Sequence, residues 1–140
     1  MKVNIQTNSK EISRRIGKKG KELSASVKKA LLRTALTGLN IIQDRTNKSQ
    51  SYKGAAFKPY SNAYAAFRSK NGRGNIPDLQ FTGQMFSAMT VKANSKEAEI
   101  FFTRATESKK AAMVDKKRPF FGFNRSEENR LGQVFFRALK

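Results

Sequence analysis

Ile12, Ile16, Leu23, Val27, Leu31, Ala35, Leu39 and Ile42 recur at helical spacings and draw a single apolar stripe along the first third of the chain. A stripe on one side specifies a long amphipathic helix that needs a covering layer, either a sheet or a neighbouring subunit. Gly17 and Gly20 interrupt it, each costing about 1 kcal/mol against alanine in a helix interior. The pattern therefore predicts a weak helical piece near 9–16 and a robust helix near 21–45. At 1.5 Å per residue the robust part is roughly 37 Å long. Before it, residues 2–6 (KVNIQ) alternate, with Val3 and Ile5 on one side, which predicts a short strand.

Residues 46–80 differ in kind. They are rich in Ser, Asn, Gly, Lys and Arg, with Tyr52, Phe57, Tyr60, Tyr64 and Phe67 interspersed. A short helix capped by Ser61 is expected there, with Ala63, Tyr64 and Phe67 on one face. The rest, NGRGN (71–75) above all, reads as open loop. Connections of this length are usually functional or become ordered on assembly. Thr82 then caps a short helix bearing Met85, Phe86 and Met89. Thr90–Ala93 and Ala98–Thr103 read as two strands around a turn at Asn94–Ser95–Lys96. Glu99 and Phe101 would face one way, Ile100 and Phe102 the other. Residues 105–116 suit helix or loop. Ser126 caps a last helix, with Glu127 and Glu128 in its first turn and Leu131, Val134, Phe135 and Leu139 as its stripe.

These elements define one α+β domain over residues 1–140. A long N-terminal helix and a C-terminal helix pack on a small antiparallel sheet, and an extended mobile loop spans about 46–80. With 140 residues and 38% hydrophobic content a core can form, and part of the chain is expected to need a partner. Cysteine is absent, so disulfides and thiolate chemistry are excluded. No apolar run approaches the ~18 residues of a membrane span, and no apolar leader opens the chain. A soluble protein of the cytoplasm that makes it, without membrane contact, is expected.

Charge narrows the partners. There are 29 Lys and Arg against 10 acids, a net +19. Residues 1–75 carry 17 bases and 3 acids, and 76–140 carry 12 and 7. Such an excess fits contact with nucleic acid or an acidic protein surface, or else a solvated face that maintains solubility. The bases cluster at Arg14, Arg15, Lys18, Lys19 and Lys21, then at Lys28, Lys29 and Arg33. Lys29 and Arg33 share a helix face apart from the stripe. No base-reading motif accompanies them, so contact with double-stranded DNA would be independent of sequence.

Catalysis finds little support. Histidine is absent and the acids are scattered, so no catalytic residue, metal ligand or cofactor site stands out. The sharpest local motif is Gly17-Lys18-Lys19-Gly20, which resembles the GXXG loop of KH domains. A KH core would require a strand soon after the second helix, directly following residue 35. The stripe instead runs on to Ile42. A flexible basic loop is the competing reading of the same four residues.

The second half carries a longer series. Phe57-Lys58-Pro59-Tyr60-Ser61 is followed by Tyr64 and Arg68, then by Leu79-Gln80-Phe81-Thr82-Gly83-Gln84-Met85. After the strand pair comes Arg118-Pro119-Phe120-Phe121-Gly122-Phe123. In order and spacing this resembles the phage virion-morphogenesis and tail-completion family of minor tail and neck proteins. The family pattern has a His or Gly stretch before RPF, where this chain has AAMVDKK. The resemblance implies a non-enzymatic structural subunit forming a ring around the DNA channel. It also implies neighbouring tail or neck ring proteins as partners, and a place in the virion after assembly in the host cytoplasm. The motif residues are Thr82, Gly83, Arg118, Pro119, Phe120 and Gly122. Phe57, Tyr60, Tyr64 and Phe67 offer apolar area for an assembly interface. Read without the resemblance, RPFFGFN is a core anchor for the last helix: Pro119 holds Arg118 extended, and Gly122 permits a sharp turn.

Overall fold

The computed structural model describes residues 1–6, 18–80 and 83–139, and the side chains of the long helix from residue 22 onward. The expected helical piece near 9–16 lies outside the described residues. In chain order the elements are β1 (Lys2–Gln6), α1 (Lys18–Asn47), α2 (Asn62–Lys70), α3 (Gln84–Ser87), β2 (Met89–Ala93), β3 (Glu97–Phe102), α4 (Ala105–Lys117) and α5 (Arg125–Ala138). This is the expected α+β architecture.

The sheet is antiparallel in the order β1-β3-β2, so β3 is its centre. Ile100 pairs with Val3 on one side and Val91 on the other. Period-two alternation sends Ala98, Ile100 and Phe102 into the core. Glu99 and Phe101 take the opposite face. Glu99 is nevertheless covered, because Lys2 and Lys92 fold onto it from both neighbouring strands, at 3.4 and 3.1 Å. Lys92 donates directly across the ladder, and that bond is the main reason the Glu99 carboxyl is held below the ordinary glutamate range, with Lys2 adding to it. A lowered folded-state pKa contributes stability above the unfolded value, and that stability is lost as pH falls through the folded one. Glu99→Gln should therefore flatten the acid limb of a melting-temperature profile. Parallel profiles for the two proteins would remove Glu99 as the acid-sensitive tie.

α1 lies across the inner face of the sheet and α5 packs along α1. Its buried side is broader than the apolar stripe, taking in Ala30, Thr34, Ala35, Ile41, Arg45 and Thr46 beside Val27, Leu31 and Ile42. The two buried hydroxyls are satisfied within the helix, Thr34 donating to the Ala30 carbonyl (2.8 Å) and Thr46 to that of Ile42 (2.7 Å). Gly38 marks a close crossing. A Cβ there would stand 2.9 Å from Cζ of Phe123 and 3.2 Å from Cδ1 of Ile100. Sheet and C-terminal segment thus meet the helix at one point.

Several boundaries differ from expectation. α5 is capped by Asn124, not Ser126: the Asn124 side chain accepts from the Glu127 N–H (2.8 Å) and Glu127 accepts from the Asn124 N–H (3.0 Å). Gly83 occupies the N-cap position of α3, with φ 79°, a conformation glycine adopts without strain. Thr82 lies outside the described residues, and Met89 opens β2 instead of closing α3. Residues 105–116, open between helix and loop, are helical as α4.

The segment 46–80 holds more structure than an open loop. Ser51 N–H donates to the Ala55 carbonyl (2.8 Å) and Phe57 N–H to that of Ser49 (2.9 Å), closing a small hairpin. The expected helix follows as α2, with the Ser61 hydroxyl accepting from the Tyr64 N–H at 3.2 Å.

Candidate assembly surface and its arginine supports

Three arginines organise the part of the chain where the family-like motifs lie. Arg45, near the end of α1, is 8% exposed. Its Nη1 donates to both carboxylate oxygens of Glu127 (2.6 and 2.7 Å), and its Nη2 to the carbonyls of Phe120 (2.6 Å) and Gly122 (2.9 Å). Its guanidinium also lies 5.7 Å from the Tyr52 ring centroid. One side chain thereby ties α1 to the RPFFGF segment and to the first turn of α5. Glu127 does two jobs, completing the α5 capping box and neutralising Arg45.

Arg68 is buried at 1% exposure although it sits on a helix of nine residues. It donates to the carbonyls of Gly74 (2.7 Å) and Gln80 (2.9 Å) and to Asp78 Oδ1 (3.1 Å). The whole return from α2 is gathered around this guanidinium. Gln80 further donates to the Asn47 side chain (2.5 Å), linking the return to the end of α1.

Arg118 donates to the carbonyls of Lys58 (2.7 Å) and Pro59 (2.9 Å). Its backbone is non-helical (φ −133°, ψ 88°), as the following proline requires. The Tyr60 ring lies between two of these cations, with centroid distances of 5.0 Å to Arg68 and 4.8 Å to Arg118. Its hydroxyl accepts from the Leu79 N–H at 3.1 Å. Burial raises the Tyr60 pKa above its ordinary value, and that N–H and Arg68 offset this only in part. The ring therefore stays neutral between its cations at physiological pH.

The motif RPFFGF is the packing centre these arginines frame. Phe120 is fully buried, Pro119 half-buried, and Phe121 packs 5.3 Å from the Phe102 ring. Full burial of a phenylalanine contributes about 1.5–3 kcal/mol. AAMVDKK, where the family pattern differs, supplies its own solution: Asp115 Oδ1 accepts from the N–H groups of both Phe120 and Phe121, each at 3.0 Å. Gly122 does not adopt a positive φ, so the expected turn is not what requires it. Its reason is contact: a Cβ there would stand 2.8 Å from the Tyr52 ring.

The expected interface aromatics divide. Phe57 is buried in the core and presents no ring to a partner, because the hairpin turns it inward. Tyr60 is half-buried between its arginines. Tyr64 and Phe67 do face outward, stacked at 6.2 Å, with Phe67 half exposed. On α1 the outer face carries Lys28, Leu32 and Leu36 in one row and Lys29 and Arg33 in the next, all exposed. Arg14 and Arg15, and the side chains of Lys18, Lys19 and Lys21, lie outside the described residues. Lys18, Lys19 and Gly20 begin α1 and so are helix, not a flexible loop, and residue 35 is followed directly by more of the same helix, not by a strand. Among the described residues no three acid side chains cluster to hold a metal, and no helix is long and apolar enough to cross a membrane.

Sequence reasoning missed Arg45 and Asp115, the buried role of Arg68 and the second role of Glu127. No protein-family model matches the chain, and no curated protein or solved structure is significantly similar to it.

Proposed function

We propose that the chain is a non-enzymatic structural subunit of a tailed bacteriophage, completing the tail or building the neck as a ring around the DNA channel. The observation that carries this reading is the pair of exposed apolar patches on different helices, Leu32 and Leu36 on α1 and Tyr64 and Phe67 on α2, which do not pack extensively on each other. A head-to-tail ring needs two unlike surfaces on every copy. The motif series supports the same assignment, since the residues resembling the family make the frame that presents α2. With +19 on each copy, closure needs a screening partner. Neighbouring acidic ring proteins, or DNA along Lys28, Lys29 and Arg33, supply it. The subunit then works in the virion after assembly in the host cytoplasm. A KH-like nucleic-acid module is less well supported, since the residues of its clamp that are described lie within α1.

Replacing Tyr64 and Phe67 together by Ser tests the reading. Both are exposed, so circular dichroism should be unchanged. Particles made with the double variant should accumulate as separate tails and filled heads on electron microscopy. Normal yields of joined, infectious particles would end the assembly role of α2.

A further inference from the structure

A groove of about 960 Å³ runs between the start of α2 and the outer face of α4. Its floor is apolar, made by Tyr60, Tyr64, Leu79, Met85 and Val114, and Met113 stands into it 70% exposed. Its rim is cationic, with Lys58, Lys110, Lys116, Lys117 and Arg118. Glu107 is the one acid lining it among the described residues, and Lys110 already neutralises it at 3.2 Å. Lys58, Lys116 and Lys117 have no carboxylate within ion-pair distance among the described residues.

We infer that this groove docks an acidic amphipathic segment of a partner protein, apolar anchors against Met113 and Val114 and carboxylates against Lys58, Lys116 and Lys117. The occupant follows from charge complementarity. An apolar floor with methionine at its lip adapts to a helical or extended segment, and a rim of unpaired cations selects carboxylates and rejects basic chains. A nucleic acid would match the rim but would leave Met85, Met113 and Val114 against phosphate and sugar. The inference deepens the assembly reading, on which the partner's identity as a neighbouring ring protein rests. The groove itself does not depend on that reading.

The test titrates the purified full chain into a fluorescent synthetic helix-forming peptide of Glu residues with Leu at every third and fourth position. A Lys-for-Glu version and a single-stranded oligonucleotide serve as competitors. Saturable binding of the acidic peptide should weaken about tenfold in Lys116→Glu/Lys117→Glu. It should also weaken in Met113→Ser, which keeps the charge and removes the anchor. Equal binding of the lysine peptide, or indifference to the charge reversal, overturns the proposal. So does an effect of charge with none of Met113, or displacement by the oligonucleotide in preference to the acidic peptide. The two readings fail separately. Phe67→Ser alone makes the separation, because Phe67 does not line the groove: tails and heads that join normally in that variant, with the peptide still bound, strike the assembly role. Absent peptide binding, with joining lost in that variant, strikes the groove.

Discussion

Replacing Arg45 with Met is expected to destabilise the fold by about 3–5 kcal/mol, the usual cost of removing one partner of a buried ion pair. The substitution strands the Glu127 carboxylate, whose side chain is 16% exposed, together with the carbonyls of Phe120 and Gly122. Guanidinium unfolding with a common slope would register this as a lower midpoint. Much of the loss belongs to the abandoned charge, so Glu127→Gln in the same background should recover part of it. Lysine is not a substitute, because a single ammonium cannot serve a carboxylate and two carbonyls in the guanidinium's plane. A loss under about 1 kcal/mol would mean that the tie between α1 and α5 lies in apolar packing alone.

The second large effect is local. Arg68→Gln removes donors from Gly74, Gln80 and Asp78 at once. These acceptors are exposed or only partly buried, so each stranded one costs less than the about 1–3 kcal/mol of a fully buried acceptor. Most of this should appear as opening of residues 71–80, not as global unfolding, because the polar ties of that return are this guanidinium, Tyr60 and Asn47, with Leu79 as its apolar contact to the core. Cleavage by trypsin at Lys70 or Arg73 should accelerate at least about tenfold while the far-ultraviolet spectrum holds. An unchanged rate would show that the segment is held, or released, by something other than Arg68.

These two residues show where sequence reading stopped. Periodicity located α1 because its stripe persists over many turns, and alternation located β2 and β3 because an apolar face meets a solvated one. α4 stayed open because its sequence has few apolar residues to mark a face; Ala111 is buried where α4 packs against α3 and β3. The α5 cap was two residues late, although Asn124 to Glu127 already fits the spacing of a capping box. Arginine is read by default as a surface residue. Arg45 left a trace, falling one turn beyond Ile42 and two beyond Gly38 on the buried side of α1. Arg68 stood in the motif series, but nothing marked it as buried, since its partners are mostly backbone carbonyls of a polar return, which composition does not reveal. Among the aromatics, composition marked the rings and said nothing of direction: Phe57 turned inward, while Tyr64 and Phe67 turned out.

The strand order has a consequence for how the molecule comes into being. Val3 pairs with Ile100, and Arg45 waits for Glu127. Residues early in this sequence are therefore held by others about a hundred positions later. While the chain is being synthesised, the long helix has neither the central strand nor the last helix to cover its inner side. Such distant pairings slow folding and prolong exposure of sticky surface. During that interval the positive charge of the first half opposes the approach of one incomplete chain to another.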